Sequence, residues 1–173
     1  LCDDAKDFRK EAKRRVKETI KEVGEVESGD RVRIIGYSDL LEEDDYKGFP
    51  EDRMAIPGDT ISEVDGEDRE DIFTAFIHSP FKDDDTASER NETSVGFRVE
   101  LAAESDGSDD VKTGRALLLG DLSYPTLRRV WDESDSHDNK EKLSHNVYLA
   151  SHHCSKKAMY EKEPINKNYT KFK

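Results

Sequence analysis

A chain of 173 residues is long enough for one domain with a buried core, but 33% hydrophobic against 40% charged residues restricts that core to a few short apolar strands with long solvated connections. A net charge of −13 and a pI near 4.9 exclude a broad electrostatic footprint for nucleic acid or anionic membrane, so a phosphate ligand would have to be held locally, by metal or a few Lys and Arg. No apolar run approaches the roughly 18 residues of a membrane span, and Cys2 and Cys154 form neither a metal-type spacing nor a disulfide framework, which points to a reducing, cytoplasmic compartment and no membrane partner.

In chain order, Asp3 or Asp4 is placed to cap a helix over residues 5–23, where Phe8, Ala12, Val16, Ile20 and Val23 recur at helical spacing and Gly24 supplies a stop. Residues 31–37 alternate polar and apolar after the turn Ser28-Gly29-Asp30 and read as a strand. Residues 39–71 are acidic, punctuated by Gly and Pro, and read as a surface excursion. Gly66 would be the sixth position of a calcium loop, but the first ligand would then be Ile61, which rules that loop out.

Three further strands follow at 72–78, 93–101 and 115–120, with a Gly/Ser/Asp turn at 104–112; the run Ala116-Leu117-Leu118-Leu119 predicts burial on both faces. Pro125 opens a helix over 124–133 that packs Leu127, Val130 and Trp131 and exposes Arg128 and Arg129. A polar linker at 134–144 leads to a strand at 146–150, a short helix at 156–161 and a Lys- and Asn-rich tail. Residues 1–71 are expected to belong to the same domain as 72–161, with 162–173 as tail. The fold class is α/β (α+β), with a mixed sheet and outer helices.

Chemistry concentrates at two strand ends. Asp121 directly follows Gly120, so its carboxylate can approach a divalent metal, or bridge two, with no side chain on the preceding residue. Some 30 residues later the chain reads Ser151-His152-His153-Cys154-Ser155. On an extended backbone adjacent histidines point to opposite sides, so one is expected to ligate and the other to touch substrate or donate a proton. His78, ending its strand before Ser79-Pro80, reads as a structural histidine, and His137 and His145 as solvent-exposed.

Four pieces occur in order: Phe76-Ile77-His78-Ser79-Pro80, Arg90-Asn91-Glu92-Thr93-Ser94-Val95, Ala116-Leu117-Leu118-Leu119-Gly120-Asp121 and Ala150-Ser151-His152-His153-Cys154-Ser155. Through them residues 74–155 resemble the C-terminal half of a metallo-β-lactamase-fold hydrolase, most closely the branch of DNA-uptake competence proteins and phosphorylcholine esterases. The resemblance implies an αββα sandwich. It makes Asp121 the metal-bridging ligand, His153 the imidazole ligand of a second metal, and His152 the catalytic residue beside the scissile phosphate. The implied cofactor is a divalent metal, zinc or manganese, and the implied activity is hydrolysis of phosphodiesters in a nucleic acid or nucleotide.

The chain also departs from that family. The His-x-His-x-Asp-His loop of its N-terminal half has no counterpart, since the histidines are His78, His137, His145, His152 and His153. Asn91 and Ser94 stand where many relatives carry another His; an Asn hydrogen-bonds substrate but ligates zinc poorly, so both are expected at substrate, with Lys156 steering the phosphate. Cys154 replaces the family's Gly. The chain is therefore expected to supply part of a dinuclear site, partnered by the remaining N-terminal half of the fold as a separate chain or further segment within a larger complex. The alternative is a non-catalytic scaffold or regulated subunit with the same fold.

Overall fold

The computed structural model describes residues 3–22, 32–64, 66–82, 93–102, 113–155, 160–162 and 169–171. The elements run α1 (Asp3–Glu22), β1 (Ile34–Ile35), β2 (Met54–Ala55), β3 (Thr60–Ile61), β4 (Glu63–Val64), β5 (Glu67–Asp68), β6 (Phe73–Ser79), β7 (Gly96–Ala102), β8 (Thr113–Leu118), α2 (Tyr124–Ser136), β9 (Val147–Leu149), β10 (Tyr160–Lys162) and β11 (Tyr169–Lys171). They fall into two compact units, one of Leu1–Ile56 with Glu63–Arg69 and one of Pro57–Ser62 with Glu70–Lys173.

In the first unit, α1 buries Val16 and Thr19, and Ile20 lies against the backbone at Gly48. Lys13 and Lys17 pair with Asp45 and fasten the helix to the segment that follows β1. The predicted apolar stripe extends further than the burial does. Phe8 is 78% exposed and Ala12 is also exposed, because periodicity says which side of a helix is apolar but not whether anything covers it. Val23 and the Gly24 stop lie outside the described residues, as do the turn at 28–30 and Arg31. The strand expected at 31–37 is reduced to Ile34–Ile35 and pairs in parallel with Met54–Ala55, apart from the main sheet. Gly36 ends it where the chain turns into a 3-10 helix at Ser38–Glu42: a Cβ there would stand 2.6 Å from Leu40 Cδ1. The acidic excursion is pinned internally. Arg33 donates to the Asp52 carbonyl at 2.9 Å and to Glu63 at 2.8 Å, and Arg53 reaches the same carboxylate at 3.4 Å.

The second unit holds a five-stranded mixed sheet of order β3-β6-β7-β8-β9, antiparallel throughout except for the parallel pair β8 and β9. The parallel pair requires a crossover, which α2 provides. Four of the sheet's strands lie where strands were expected; the fifth is Thr60–Ile61, drawn from the excursion, in place of 31–37. Residues opposite one another share a face. On one face Ile61, Ala75, Val99, Ala116 and Val147 form a row, and Ile77, Phe97, Leu118 and Leu149 the next.

The opposite face carries Phe76, Arg98 and Leu117 beneath α2. Here the core forms from Phe81, Leu117, Leu119, Leu122, Leu127 and Val130, with Leu143 at its margin. Buried Arg98 bonds Glu100 at 2.9 Å and the Glu141 carbonyl at 3.1 Å, so its charge is paired inside the unit.

Several local expectations change. Leu117 and Leu119 are buried, but Ala116 and Leu118 only partly, so β8 is not buried on both faces. Trp131 is 39% exposed, with Lys140 Nζ 5.5 Å from its ring centroid, whereas Arg129 lies 4.1 Å over the Phe81 ring. The expected polar linker is partly helical, since α2 continues to Ser136 and Lys140–Leu143 forms a 3-10 turn. Residues 104–112 and 156–159 lie outside the described residues; 160–162 pair with 169–171 as an antiparallel hairpin where a helix end and a loose tail were expected.

Candidate metal centre at the strand ends

Gly120 follows β8 with φ +53°, and a Cβ there would sit 3.0 Å from Ser94 Cβ and 3.3 Å from the Val95 carbonyl oxygen. The position therefore combines a left-handed backbone with a close approach, both of which favour glycine. The result is a tight turn that carries Asp121. Its amide donates to Ser94 Oγ at 3.3 Å, and the fully buried Ser79 hydroxyl donates to the Ser94 carbonyl at 2.8 Å. Ser94, expected at substrate, thus holds the Asp121 turn from the neighbouring segment.

The histidine pair does not lie on extended backbone. β9 ends at Leu149 and Ser151–Cys154 forms a tight turn in which His152, His153 and Cys154 have φ of 49°, 52° and 60°. Left-handed residues in succession do not alternate sides as strand residues do, so the expectation that the two rings face oppositely is overturned. Both meet Asp121. His152 Nδ1 lies 3.1 Å from the Asp121 carbonyl oxygen and His153 Nε2 lies 3.5 Å from Asp121 Oδ1. A carbonyl only accepts, so Nδ1 of His152 is the donor in this contact.

Non-glycine residues in this region cost about 1–2 kcal/mol each, so the turn must be held by other bonds. His152 N–H donates to the Gly120 carbonyl at 3.0 Å, and the Tyr148 hydroxyl bonds both Ser151 Oγ at 2.9 Å and Ser151 N–H at 3.3 Å. His153 is 88% exposed, so its contact with Asp121 contributes little to folding. The strain is maintained by the anchors and not by the contact it creates. Tyr148, Ser151 and Ser79 carry no sequence signal for this supporting role.

Asn91 and Lys156 lie outside the described residues. His78 is buried and its Nε2 meets the Lys142 carbonyl at 3.2 Å; burial pushes its imidazole down to about 4, with the Arg98 charge adding to the effect and the carbonyl opposing it. It is a structural histidine, neutral at physiological pH. His137 and His145 are exposed, and Cys154 is an exposed thiol.

Asp121 and His153 offer two donors, fewer than the three or four protein ligands of a zinc site. Donors about 2.1 Å from one tetrahedral ion stand about 3.4 Å apart, close to the 3.5 Å observed. Among the described residues, no group of three or more His, Cys, Asp or Glu side chains comes together in this way.

No family model, curated protein or solved structure matches this chain. The fold established is therefore the α+β chain with a mixed sheet, and no helix among the described residues is long and apolar enough to cross a membrane.

Proposed function

We propose that this chain supplies part of a dinuclear metal site in a phosphodiester hydrolase of metallo-β-lactamase type, acting on a nucleic acid or nucleotide. The observation that carries the reading is the convergence of both imidazoles on one strand-end aspartate, through its carboxylate and its carbonyl. Asp121 and His153 would hold zinc or manganese, which when bound would supply an activated water. His152, with Nδ1–H fixed on a carbonyl, would hold or deliver a proton at Nε2 beside the leaving oxygen. Strained backbone held by external anchors is itself a mark of functional sites.

The finer architecture in this reading is half of an αββα sandwich. α2 covers one sheet face; on the other, Ala75 and Ile77 are already buried, and the exposed Val147 and Leu149 end of the apolar rows would take a second sheet from the N-terminal half of the fold, which would also bring the missing ligands. The net charge of −13 favours a nucleotide-sized substrate, or a partner that supplies basic surface. An exposed thiol at Cys154 suits a reducing, cytoplasmic compartment. The test is elemental analysis of the full polypeptide with its partner half, together with Mn²⁺- and Zn²⁺-dependent phosphodiesterase assays of Asp121→Ala and His153→Ala. Metal and activity lost together in both variants support the reading. Activity unchanged in both overturns the assigned roles, and a folded assembly without metal or activity favours the scaffold alternative.

A further inference from the structure

We propose that the first turn of α2 is a phosphate-binding site, in which the hydroxyls of Ser123 and Thr126 and the Thr126 amide hold a phosphate group beside Asp121. The N-terminus of a helix is ordinarily completed by a cap side chain that accepts from its free amides, or by an acid in its first turn. The 13-residue α2 has neither: Ser123, at the cap, makes no side-chain bond to the helix, and the first turn carries no acidic residue on a chain with 41 of them. The first helical bond runs from Leu127 N–H to the Ser123 carbonyl at 3.0 Å. Thr126 N–H therefore lies ahead of the ladder, and Pro125 has no N–H to offer.

The two hydroxyls distinguish this end from an ordinary helix start. Ser123 is 6% exposed and Thr126 5%, yet neither side chain has a hydrogen-bond partner. Buried hydroxyls ordinarily find one, and a helical Thr can bond back to a carbonyl of the preceding turn. Among the described residues, the enclosed side-chain polar atoms that lack a partner are Nε of Arg33, Arg98 and Arg115. The Ser123 and Thr126 hydroxyls are not enclosed, so they reach solvent from the floor of a recess. Side chains on a helix tilt toward its N-terminus, which aims Thr126 at the end where Ser123 stands. Two O–H groups and one N–H thus converge on one place, where the helix dipole favours an anion. A phosphate turns oxygens in several directions and can accept from all three; a planar carboxylate cannot.

Asp121 stands two residues before the cap, with Oδ1 toward His153 Nε2 at 3.5 Å. Its charge opposes an anion at the helix end, so phosphate should bind more tightly once that carboxylate is removed. The inference rests on the helix end and stands independently of the metal site.

Amide ¹H–¹⁵N spectra of the full chain, titrated with inorganic phosphate at constant ionic strength, should show a saturable shift at Thr126. Ser123→Ala should weaken binding about tenfold, as loss of one hydrogen bond to an anion does, with an unchanged urea midpoint because the hydroxyl caps nothing. Ser123→Asp should abolish binding by putting a carboxylate in the phosphate's place, and should raise the midpoint by capping the helix. Asp121→Ala should bind phosphate more tightly while losing any Zn²⁺ response at His153, which separates this site from the metal reading. A nucleoside monophosphate tested alongside names the source: equal affinity assigns the site to free phosphate, and tighter binding assigns it to a nucleotide. The absence of a saturable shift at Thr126 overturns the proposal. So does a Ser123→Ala chain that is destabilised as by loss of a working cap, or phosphate binding that survives Ser123→Asp.

Discussion

Replacing His78 by Gln should remove a pH dependence that the fold builds in. His78 ends buried beneath the 3-10 turn at Lys140–Leu143, edge-on to Phe76 with ring centroids 4.9 Å apart, and burial holds its imidazole near 4 against an ordinary value of 6.5. The folded state disfavours the charged ring, so between these values the unfolded chain binds more protons and stability rises with pH. The contribution is full above about 6.5 and lost as pH falls to about 4. At 1.36 kcal/mol per pH unit the difference amounts to about 3 kcal/mol. A Gln at 78 can still donate to the Lys142 carbonyl but does not titrate. Urea unfolding followed by the fluorescence of Trp131, the chain's one Trp and a member of the same unit, should show the wild type losing about 3 kcal/mol more than His78→Gln between pH 7 and pH 4. Parallel pH profiles, or an NMR titration of His78 near 6.5, would refute the reasoning.

Three further substitutions probe the strand ends and the core. Gly120→Ala places a Cβ in the left-handed region against Ser94 and the Val95 carbonyl, and after the entropy gained by replacing glycine it should destabilise by about 1–2 kcal/mol in urea unfolding; a stabilised variant would show that the turn is not as described. Cys154→Gly relieves a residue at φ 60° and should raise stability by up to about 1 kcal/mol, while β-branched Cys154→Val should lower it; equal thermal midpoints for the two would contradict a left-handed turn. Leu122→Ala empties a fully buried position in the cluster beneath α2 and should cost about 2–5 kcal/mol, read as a lower urea midpoint with unchanged slope.

What could be read from the residues depended on how local the determining physics was. The alternation around Phe97 and Val99 and the apolar run at 116–119 identify sheet strands, but the two-residue period shows only which side chains share a face: in β7 the buried positions are Gly96 and Arg98, not the apolar Phe97, Val99 and Leu101. Pro125 marks the start of α2 for an equally local reason, its fixed φ in the first turn. The short strands were not legible: Ile34–Ile35 and Thr60–Ile61 exist through partners at 54–55 and 75–76, and two residues cannot display a period. Asp121 and the histidine pair were legible as neighbours, since both follow adjacent parallel strands. Their geometry was not, because neither Gly nor Asn marks the left-handed turn at 152–154 and its support comes from Tyr148, Ser151 and the Gly120 carbonyl.

The central claim is that Asp121, His152 and His153 act together as a metal-binding strand end. Imidazole ¹H–¹⁵N spectra recorded while Zn²⁺ is titrated into the full chain test it most directly, with the other three of the five histidines as internal controls. The account predicts that His152 begins with a proton on Nδ1 and that the resonances of His153 and His152 shift together and are lost in Asp121→Ala, while His78, His137 and His145 stay in place. Shifts spread over the exposed His137 and His145, or a response at His153 that survives Asp121→Ala, would contradict it.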